Sequence, residues 1–383
     1  MNLRFLPVIL FTIVLASGCT SSKKLNHAAT GGSISGLRFV NEYVVPNGQE
    51  LRGTLIGGLS GIDYDARRDQ YYLICDDPSS KGAARFYTAR LFIHEGIDSV
   101  HITDVTILLD AAGQPYPDIT KDRIHSADLE AMRYDPTRNE MIWSSEGQRN
   151  RKGDKLELQD PAVVITDRAG RHKDSFALPP NMHIQPIEKG PRHNSVFEGL
   201  AFDEKYRHVY VSVEEPLYED GPRAGTGDST AWVRLIKFNR NTRRQVAQYA
   251  YQLDAVPYAA NPAGAFKVNG ISDILYLGKG QFIVIERGFS SGRPVSDVRI
   301  YLADARGAED VSGNPSLAAQ PARKPVTKKL LLDMNSLGRF VDNIEGVTFG
   351  PRLANGHWSL VFVADNNFDN KEKNQFFLFE VLP

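Results

Sequence analysis

Five similar segments of the chain each carry an oxygen-bearing side chain at the same point of their first apolar run. These side chains recur at intervals of 70, 68, 74 and 73 residues, and they are Ser60, Glu130, Glu198, Ser272 and Glu345. Carboxylates gathered in one place repel one another unless they are protonated or share a cation. Hard oxygen donors without His or Cys favour Ca²⁺ over Zn²⁺. We therefore expect these five residues, the ring residues below, to bind one calcium ion. The alternative is that the Glu side chains only accept hydrogen bonds from backbone N–H groups.

A second set of acids stands at the end of the second apolar run of the segments. The set comprises Asp76, Asp77, Glu146, Glu214, Glu215, Glu286 and Asp365. Since the second run returns beside the first, these side chains are expected on the same face as the ring, farther from its centre. Asp76 and Glu214 are the candidates for activating a water molecule. Glu146 and Asp365 are the candidates for contacting a substrate.

Basic residues adjoin the ring in sequence. His125 and His193 each lie five residues before a ring Glu, and Arg192 and Arg287 are close by. A guanidinium group can bind phosphate through two parallel hydrogen bonds. We expect His193 and Arg287 to hold a phosphate or protonate a leaving group, and His125 and Arg192 to bind substrate. The basic stretch 147–155 is predicted to be a solvated loop.

The elements that must position these residues are short strands. Each segment has an apolar strand, a polar turn and a second apolar strand, as in "FEGLAFDEKYRHVYVSVEE". Intervals of this length leave room for two further strands, such as "AWVRLIKFN" and "QVAQYAYQL", and no convincing amphipathic helix is present. Four strands per repeat indicate a β-propeller, whose innermost strands surround a central channel.

The number of blades follows from the number of repeats. Five repeat starts are visible, and the last repeat lacks a strand, which "LRFVNEYVVP" (37–46) can supply. The sequence therefore predicts an all-β, five-bladed propeller whose ring is closed by an N-terminal strand. A six-bladed propeller is the alternative, with a weakly patterned blade within 148–196.

The N-terminus has the pattern of an export signal. One positive charge precedes the apolar run "FLPVILFTIVLA", which is too short to span a bilayer comfortably, and "ASGC" follows. This ending resembles a bacterial lipobox, which implies a signal peptide over 1–18, lipidation of Cys19, a flexible tether over 19–36 and a propeller over 37–383. The expected location is the cell envelope, at the outer membrane or periplasmic face, with membrane contact through the lipid alone. Secretion with an unmodified Cys19 is the alternative.

Composition excludes several classes of function. The chain has 383 residues, a net charge of −1 and 42% hydrophobic residues, enough for a large core and without the basic stripe that nucleic acid binding requires. Apart from Cys19, the sequence has one cysteine, Cys75, which we expect to be buried and unpaired. "GFSSG" (288–292) matches a nucleophile motif, but a proline and a strand follow it where a helix is required, so Ser290 is not expected to be a nucleophile. A monomer is expected.

The repeated motifs "GLSGIDYD", "DLEAMRYD", "FEGLAFD", "GISDILYL" and "IEGVTFG", with "VFVADNNF" near the end, resemble the phytase-like, or esterase-like, domain family of bacterial exported proteins. The resemblance runs from about residue 36 to 383 and implies phosphoester hydrolysis. The ring order Ser, Glu, Glu, Ser, Glu is also similar to that of the calcium-activated apyrases, five-bladed propellers with a calcium ion in the channel. That similarity implies that the ring residues surround the metal, but it does not imply nucleotide specificity, because the surrounding apyrase motifs are not evident.

Three functions are consistent with the sequence. The first is a calcium-dependent phosphoesterase acting on a small phosphorylated molecule at the channel mouth. The second is a calcium-dependent esterase or lactonase on the same scaffold. The third is a non-catalytic envelope propeller that binds a ligand or partner around a structural calcium ion. Fold alone does not separate them, since propellers host many functions.

Overall fold

The computed structural model describes residues 34–153, 155–227, 231–293 and 295–383. The predicted signal peptide, Cys19 and the tether up to residue 33 lie outside these residues. The propeller begins slightly earlier than predicted, because Ile34 already packs into an apolar cluster and the first strand starts at Gly36. No helix in the described part of the chain is long and apolar enough to cross a membrane.

The chain enters the ring through its outermost position and then builds the first blade. Strand β1 spans Gly36–Val45, and a small hairpin follows, made of β2 (Glu50–Leu51) and β3 (Thr54–Leu55). Blade one contains β4 (Leu59–Asp65), β5 (Gln70–Cys75), β6 (Arg85–Ile93) and β7 (Ile97–Ile107). Each of these four strands is hydrogen-bonded to its neighbour in chain order, from the channel outwards.

The next four blades repeat this arrangement. Blade two contains β8 (Leu129–Asp135), β9 (Glu140–Ser145), β12 (Ala162–Asp167) and β13 (His172–Ser175), with the hairpin β10 (Gln148–Lys152) and β11 (Lys155–Gln159) inserted after β9. Blade three contains β14 (Phe197–Phe202), β15 (His208–Val213), β16 (Trp232–Asn239) and β17 (Arg244–Gln252). Blade four contains β18 (Lys267–Gly278), β19 (Gln281–Ser290), β20 (Asp297–Asp304) and β21 (Thr327–Asp333). Blade five contains β22 (Asn343–Phe349), β23 (Ser359–Asp365) and β24 (Asn374–Leu382). Single 3₁₀ turns lie at Pro180–Met182, Tyr218–Asp220 and Met334–Leu337.

The fifth blade is completed by the N-terminal strand, as the sequence predicts. Strand β1 runs antiparallel to β24 and becomes its outermost strand, with Gly36 opposite Leu382 and Val45 opposite Asn374. Arg38 pairs with Glu380 across this seam. The pairing covers the edge of β24 and closes the ring with strands from both ends of the propeller. Five blades are therefore confirmed.

Apolar clusters between neighbouring blades hold the ring together. Each of the five largest clusters takes residues from two adjacent blades; the one between blades one and two contains Tyr72, Phe86 and Trp143, all 1% exposed. Cys75 lies in the cluster between blades five and one and is fully buried, as predicted, and no disulfide joins it to another residue of the described part of the chain. The second strand of each blade is covered on both faces, which explains continuous apolar runs such as those in Gln70–Cys75 and His208–Val213.

One alternative is excluded, and one segment differs from the prediction. Residues 148–196 contain no sixth blade, since β12 and β13 are the outer strands of blade two. The stretch 147–155 is not a loop, because Gln148–Lys152 pairs with Lys155–Gln159 as a hairpin. Its charged residues lie on the exposed part of this hairpin. Their charge therefore indicates contact with solvent and does not indicate that a strand is absent.

Candidate active site and metal centre

A bulge recurs in the inner strand of every blade, next to the ring position. The register shifts between Leu59 and Gly61, Leu129 and Met132, Phe197 and Leu200, Ile271 and Asp273, and Ile344 and Gly346. A bulge places one residue outside the ladder and redirects its side chain. The bulges thus take the ring residues out of the regular pairing between the inner and second strands and change the direction of their side chains.

The glycine that follows the ring position in three blades allows inner strands to approach closely. A Cβ on Gly199 would lie 2.7 Å from the backbone nitrogen of Ile274, and one on Gly346 would lie 3.1 Å from the Cα of Gly61. These contacts are with backbone atoms of the neighbouring inner strand, which has little freedom to move aside. The glycine of these repeated Ser-Gly and Glu-Gly pairs is therefore required, because neighbouring inner strands pack closely around a narrow channel.

A buried ion pair closes the channel below the ring. Arg133 donates to Asp273 at 2.7 Å and to the backbone carbonyls of Ile62, Ile274 and Val347, and it is 3% exposed. It therefore connects inner strands of blades one, two, four and five. Burial raises the pKa of Asp273 to about 6, with the charge of Arg133 acting in the opposite direction. A separate cavity of about 240 Å³ lies on the far side, with Arg133 in its wall.

Above this pair, a polar cavity of about 720 Å³ opens at the other mouth of the channel. Seven of the predicted site residues line it together, and they are Asp76, Glu130, His193, Glu198, Glu214, Arg287 and Glu345. They come from all five blades and from the loop before blade three. The repeat alignment therefore brought together residues up to 269 positions apart, from Asp76 to Glu345.

Two overlapping groups of carboxyls have the spacing of a metal site. Oxygen atoms of Glu130, Glu146 and Glu198 lie within 4.8 Å of one another, and so do those of Asp76, Asp128 and Glu130. Burial and then repulsion from neighbouring carboxylates raise the pKa values of Glu130, Glu146 and Glu198 well above their usual range. A cation bound among such carboxyls would stabilise their ionised form, because its charge would offset their mutual repulsion.

Glu146 carries the buried oxygen that best fits a bound cation at this cluster. The residue is fully buried, and its Oε1 accepts a hydrogen bond from the backbone N–H of Val196. Among the residues that the structure describes, no donor reaches its Oε2. A buried acceptor without a partner costs about 1–3 kcal/mol. The donor set is entirely carboxylate oxygen, so it fits a hard cation such as Ca²⁺ and not Zn²⁺.

Arg287 supplies a fixed positive charge on the opposite side of the cavity. Its guanidinium donates to Glu345 at 2.8 Å and to Glu214 at 3.1 Å, and it also bonds the side chain of Asn343. Burial raises the pKa of Glu214 to about 7, with Arg287 acting in the opposite direction. The ring is therefore asymmetric, with Glu345 neutralised by arginine while Glu130 and Glu198 belong to the carboxyl cluster.

The hydroxyls of the two ring serines are hydrogen-bonded between neighbouring blades. The Ser60 hydroxyl donates to the carbonyl of Glu130 at 2.6 Å, and the Ser272 hydroxyl donates to the carbonyl of Ile344 at 3.0 Å. Each hydroxyl thus connects its inner strand to the next blade. Neither serine lines the cavity. A direct bond from these hydroxyls to calcium stays a prediction.

His125 and Arg192 do not reach the cavity. His125 lies on an exposed loop with its ring bonded to Asp122 at 2.8 Å. Arg192 donates to the carbonyls of Pro216 and Gly221, both at 2.9 Å, and its guanidinium lies over the ring of Tyr218. The structure places both residues outside the cavity, with His125 bonded within its own loop and Arg192 bonded to a neighbouring one, and their role in substrate binding stays a prediction.

His193 does line the cavity, but in a neutral form. Burial lowers its pKa, and the charges of Arg123 and Arg149 lower it further. The backbone N–H of Arg149 donates to its Nδ1 at 3.3 Å, which leaves the proton on Nε2. His193 can therefore donate a hydrogen bond at neutral pH but is a poor source of a proton.

Asp365, also predicted to bind substrate, lies behind the cavity wall. It is fully buried, and within the described residues its Oδ2 has no hydrogen-bond partner. Burial and then repulsion from Glu345 raise its pKa well above the usual range. The sequence analysis did not identify Asp128 and Asn343 as residues of the site. Each lies two residues before a ring Glu, on the same face of the strand, and that spacing was the available signal.

The chain belongs to the Phytase-like family, described as "Esterase-like activity of phytase", whose model matches residues 54–368. A curated relative in Arthroderma benhamiae, called "Uncharacterized secreted protein", is 26% identical over 153 residues, which is 38% of this chain and 30% of that protein. This chain therefore matches less than a third of the length of that relative.

Solved structures similar to this chain include propellers of several activities. An endo-arabinase from Bacteroides thetaiotaomicron shares 9% identity with a TM-score of 0.41, covering 89% of this chain and 98% of that one. A gluconolactonase from Xanthomonas campestris shares 12% identity with a TM-score of 0.33, covering 91% and 95%. These distant similarities carry no information about the activity of this chain.

Proposed function

We propose that this protein is a calcium-dependent phosphoester hydrolase that acts on a small phosphorylated molecule at the channel mouth. The observation that carries the proposal is the buried carboxyl cluster of Glu130, Glu146 and Glu198, two of whose members, Glu130 and Glu198, line the same open cavity as the fixed charge of Arg287. Such a pair of positive centres, one a bound cation and one a guanidinium, suits the negative oxygens of a phosphate group. The family description, which names a phytase and an esterase-like activity, supports the same class of reaction.

The carboxyl cluster would hold the calcium ion, with Asp76 and Asp128 within reach on the side of blade one. When bound, calcium would neutralise charge on the phosphate oxygens and polarise the phosphorus centre. Arg287 faces the same cavity and attracts the anionic group electrostatically, while its own N–H groups stay bonded to Glu214 and Glu345. A cavity of about 720 Å³ has room for a small substrate together with water.

Hydrolysis requires an acceptor for a water proton, and two carboxyls of the cavity can act as one. Glu214 titrates near pH 7, so its ionised form is a competent base near neutrality. Asp76 is the second candidate, on the other side of the cavity. The water oxygen bonds to phosphorus, the bond from phosphorus to the alcohol oxygen breaks, and the alcohol oxygen takes a proton from solvent. Nε2–H of His193 can donate a hydrogen bond to that oxygen.

A panel of substrates with calcium or with chelator tests this proposal. Purified protein should release phosphate from p-nitrophenyl phosphate, or from one of bis-p-nitrophenyl phosphate, nucleoside diphosphates and phytate, only when calcium is present. Activity confined to p-nitrophenyl acetate or a lactone would replace the proposal with a calcium-dependent esterase. Inactivity on every compound, with calcium bound, would leave a ligand-binding propeller as the better account.

Export to the cell envelope with lipid attachment at Cys19 is part of the same proposal. Its support is the charged, apolar and small-residue pattern of residues 1–18, followed by cysteine. The description of the relative in Arthroderma benhamiae as secreted agrees with an extracellular location. At such a location millimolar calcium is commonly available, so even a weak site would be filled.

A further inference from the structure

Blade four rises higher above the channel mouth than the other blades. Its inner strand β18 begins at Lys267, five residues before the ring residue Ser272, whereas β14 begins one residue before Glu198. Strand β19 follows it upward to Ser290, which lies opposite Lys267. This extension forms a wall on one side of the cavity.

Two large aromatic side chains stand exposed on this wall. Phe266 is 51% exposed and Phe289 is 40% exposed, and both line the cavity that contains the carboxyl cluster. Their rings are neighbours, with centroids 6.2 Å apart, and the guanidinium of Arg223 lies 5.6 Å from the ring of Phe266. Val268 and Val295 continue the apolar surface within the same cavity.

The register of the strands places this aromatic pair directly above Arg287. Phe289 and Arg287 are two residues apart on β19, so their side chains share a face, about 7 Å apart along the strand. Val268 is opposite Phe289, and Phe266 is two residues from Val268 on the same side. One face of the wall therefore carries a cation at its base and two aromatic rings at its rim.

We infer that the substrate carries a planar, apolar ring next to its phosphate, and that Phe266 and Phe289 bind this ring while the phosphate lies at Arg287. The inference rests on the proposed function, because it takes the position of the phosphate from it. An aryl phosphate or a nucleotide has the required shape. A polyol bearing several phosphates does not, since the aromatic pair offers no hydrogen bond to its hydroxyls or phosphates.

The test compares two ligands that differ only in the ring, phenylphosphonate and methylphosphonate. Neither is hydrolysed, so titration calorimetry in the presence of calcium measures binding alone. The wild type should bind phenylphosphonate at least about fivefold more tightly, as expected for stacking on aromatic side chains. Phe266→Ala with Phe289→Ala should abolish this preference and leave the affinity for methylphosphonate unchanged. Phe92→Ala, which removes a Phe that is 43% exposed on strand β6 of blade one, is the matched control and should change neither affinity.

The outcomes separate this inference from the proposed function. Equal binding of the two ligands by the wild type, or a preference that survives the double substitution, overturns the inference and leaves calcium-dependent hydrolysis standing. A ring preference that is lost in the double variant but needs no calcium and accompanies no phosphate release removes the hydrolase and leaves Phe266 and Phe289 as a binding site for the ring of a ligand. A lower sedimentation coefficient for the double variant, with ligand affinities unchanged, would assign the pair to contacts between copies of the chain and overturn the inference. A melting temperature equal to that of the wild type confirms that the double variant is folded.

Discussion

The buried carboxyl of Glu198 links calcium binding to the stability of the folded protein. Glu198 is almost fully buried, and its pKa is raised by burial and by its neighbours Glu214 and Glu146. A cation among these groups relieves their repulsion, so binding to the folded state alone stabilises the protein. The stabilisation is about 2.7 kcal/mol at a hundredfold excess of calcium over Kd.

Glu198→Gln keeps the shape of the side chain and removes one charge. We expect calcium affinity to fall about tenfold, which reduces the stabilisation at the same calcium concentration to about 1.4 kcal/mol. The calcium-free variant should be at least as stable as the calcium-free wild type, because repulsion is relieved. Melting curves with calcium and in calcium-depleted buffer measure both quantities.

The exposed Glu95 provides the control, since Glu95→Gln should leave both melting curves unchanged. If the ring acids served only as acceptors for backbone N–H groups, Glu198→Gln would be destabilised equally with and without calcium. That result would contradict calcium binding by the ring residues.

Residue by residue, the sequence predicted the cavity better than it predicted individual roles. Equivalent placement in five repeats brought Glu130, Glu198 and Glu345 together, because an inner strand has one side that faces the channel. The pairing of Glu345 with Arg287 was not predictable, since repeat spacing makes their blades neighbours but does not specify the direction of a long side chain between them. The same limit applies to Ser60, whose hydroxyl was predicted to bind the metal and donates a hydrogen bond to a carbonyl of blade two.

Among the elements, strand β1 has the largest influence on the integrity of the ring. It is the outermost strand of blade five, and Phe39 packs against Phe379 with ring centroids 5.5 Å apart. Leu37 and Phe39 are partly buried against the cluster between blades four and five. Without β1, this apolar surface and the edge of β24 would be exposed to water.

Removal of residues 1–47 should therefore destabilise the protein far more than removal of residues 1–30. The longer deletion loses the burial of several apolar side chains at about 1.5–3 kcal/mol each, on the order of 5 kcal/mol in total. The shorter deletion removes no described element. Urea unfolding of the two truncated proteins measures the difference, and identical midpoints would contradict the closure of the ring by β1.

Strands with a repeated environment were predictable, and inserted elements were not. The strands β16 and β17 occur where "AWVRLIKFN" and "QVAQYAYQL" indicated, because the apolar pattern and the repeat spacing both specify them. The β10–β11 hairpin carries five charged residues in 149–155 and was predicted to be a loop. A two-stranded hairpin on the surface buries one side only, so it lacks the apolar pattern on which strand prediction depends.

The whole molecule should respond to pH through its calcium site. Asp128 has a pKa of about 6 and Glu214 of about 7 in the folded state, both raised mainly by burial from about 4. A raised folded-state pKa means that the folded protein binds more protons than the unfolded chain between these values. The calcium-free protein therefore loses stability as the pH rises from about 4 to 7.

Calcium competes with these protons, so its stabilising effect should increase with pH. We expect the rise in melting temperature on adding calcium to be small at pH 5.5 and large at pH 8. Thermal scans at the two pH values, each with calcium and in calcium-depleted buffer, measure this effect. An equal shift at both values would mean that the buried carboxyls do not take part in binding the ion.

Lipid attachment would place the whole propeller at a membrane surface through Cys19. Cys19→Ala should release the protein into the soluble fraction or leave the precursor uncleaved. Fractionation of cells that express the two forms, with gel mobility as the measure of processing, shows which occurs. Unchanged membrane association and processing of the variant would contradict lipidation and leave ordinary secretion.

The most direct test of the central claim is the release of phosphate from p-nitrophenyl phosphate by the purified protein. The wild type should be active with calcium, inactive after chelation and active again when calcium is restored, and Glu198→Gln should need about tenfold more calcium for half-maximal activity. Phosphate release that is insensitive to chelator, or that has the same calcium dependence in wild type and Glu198→Gln, would contradict the assignment of the channel cluster as the catalytic metal site.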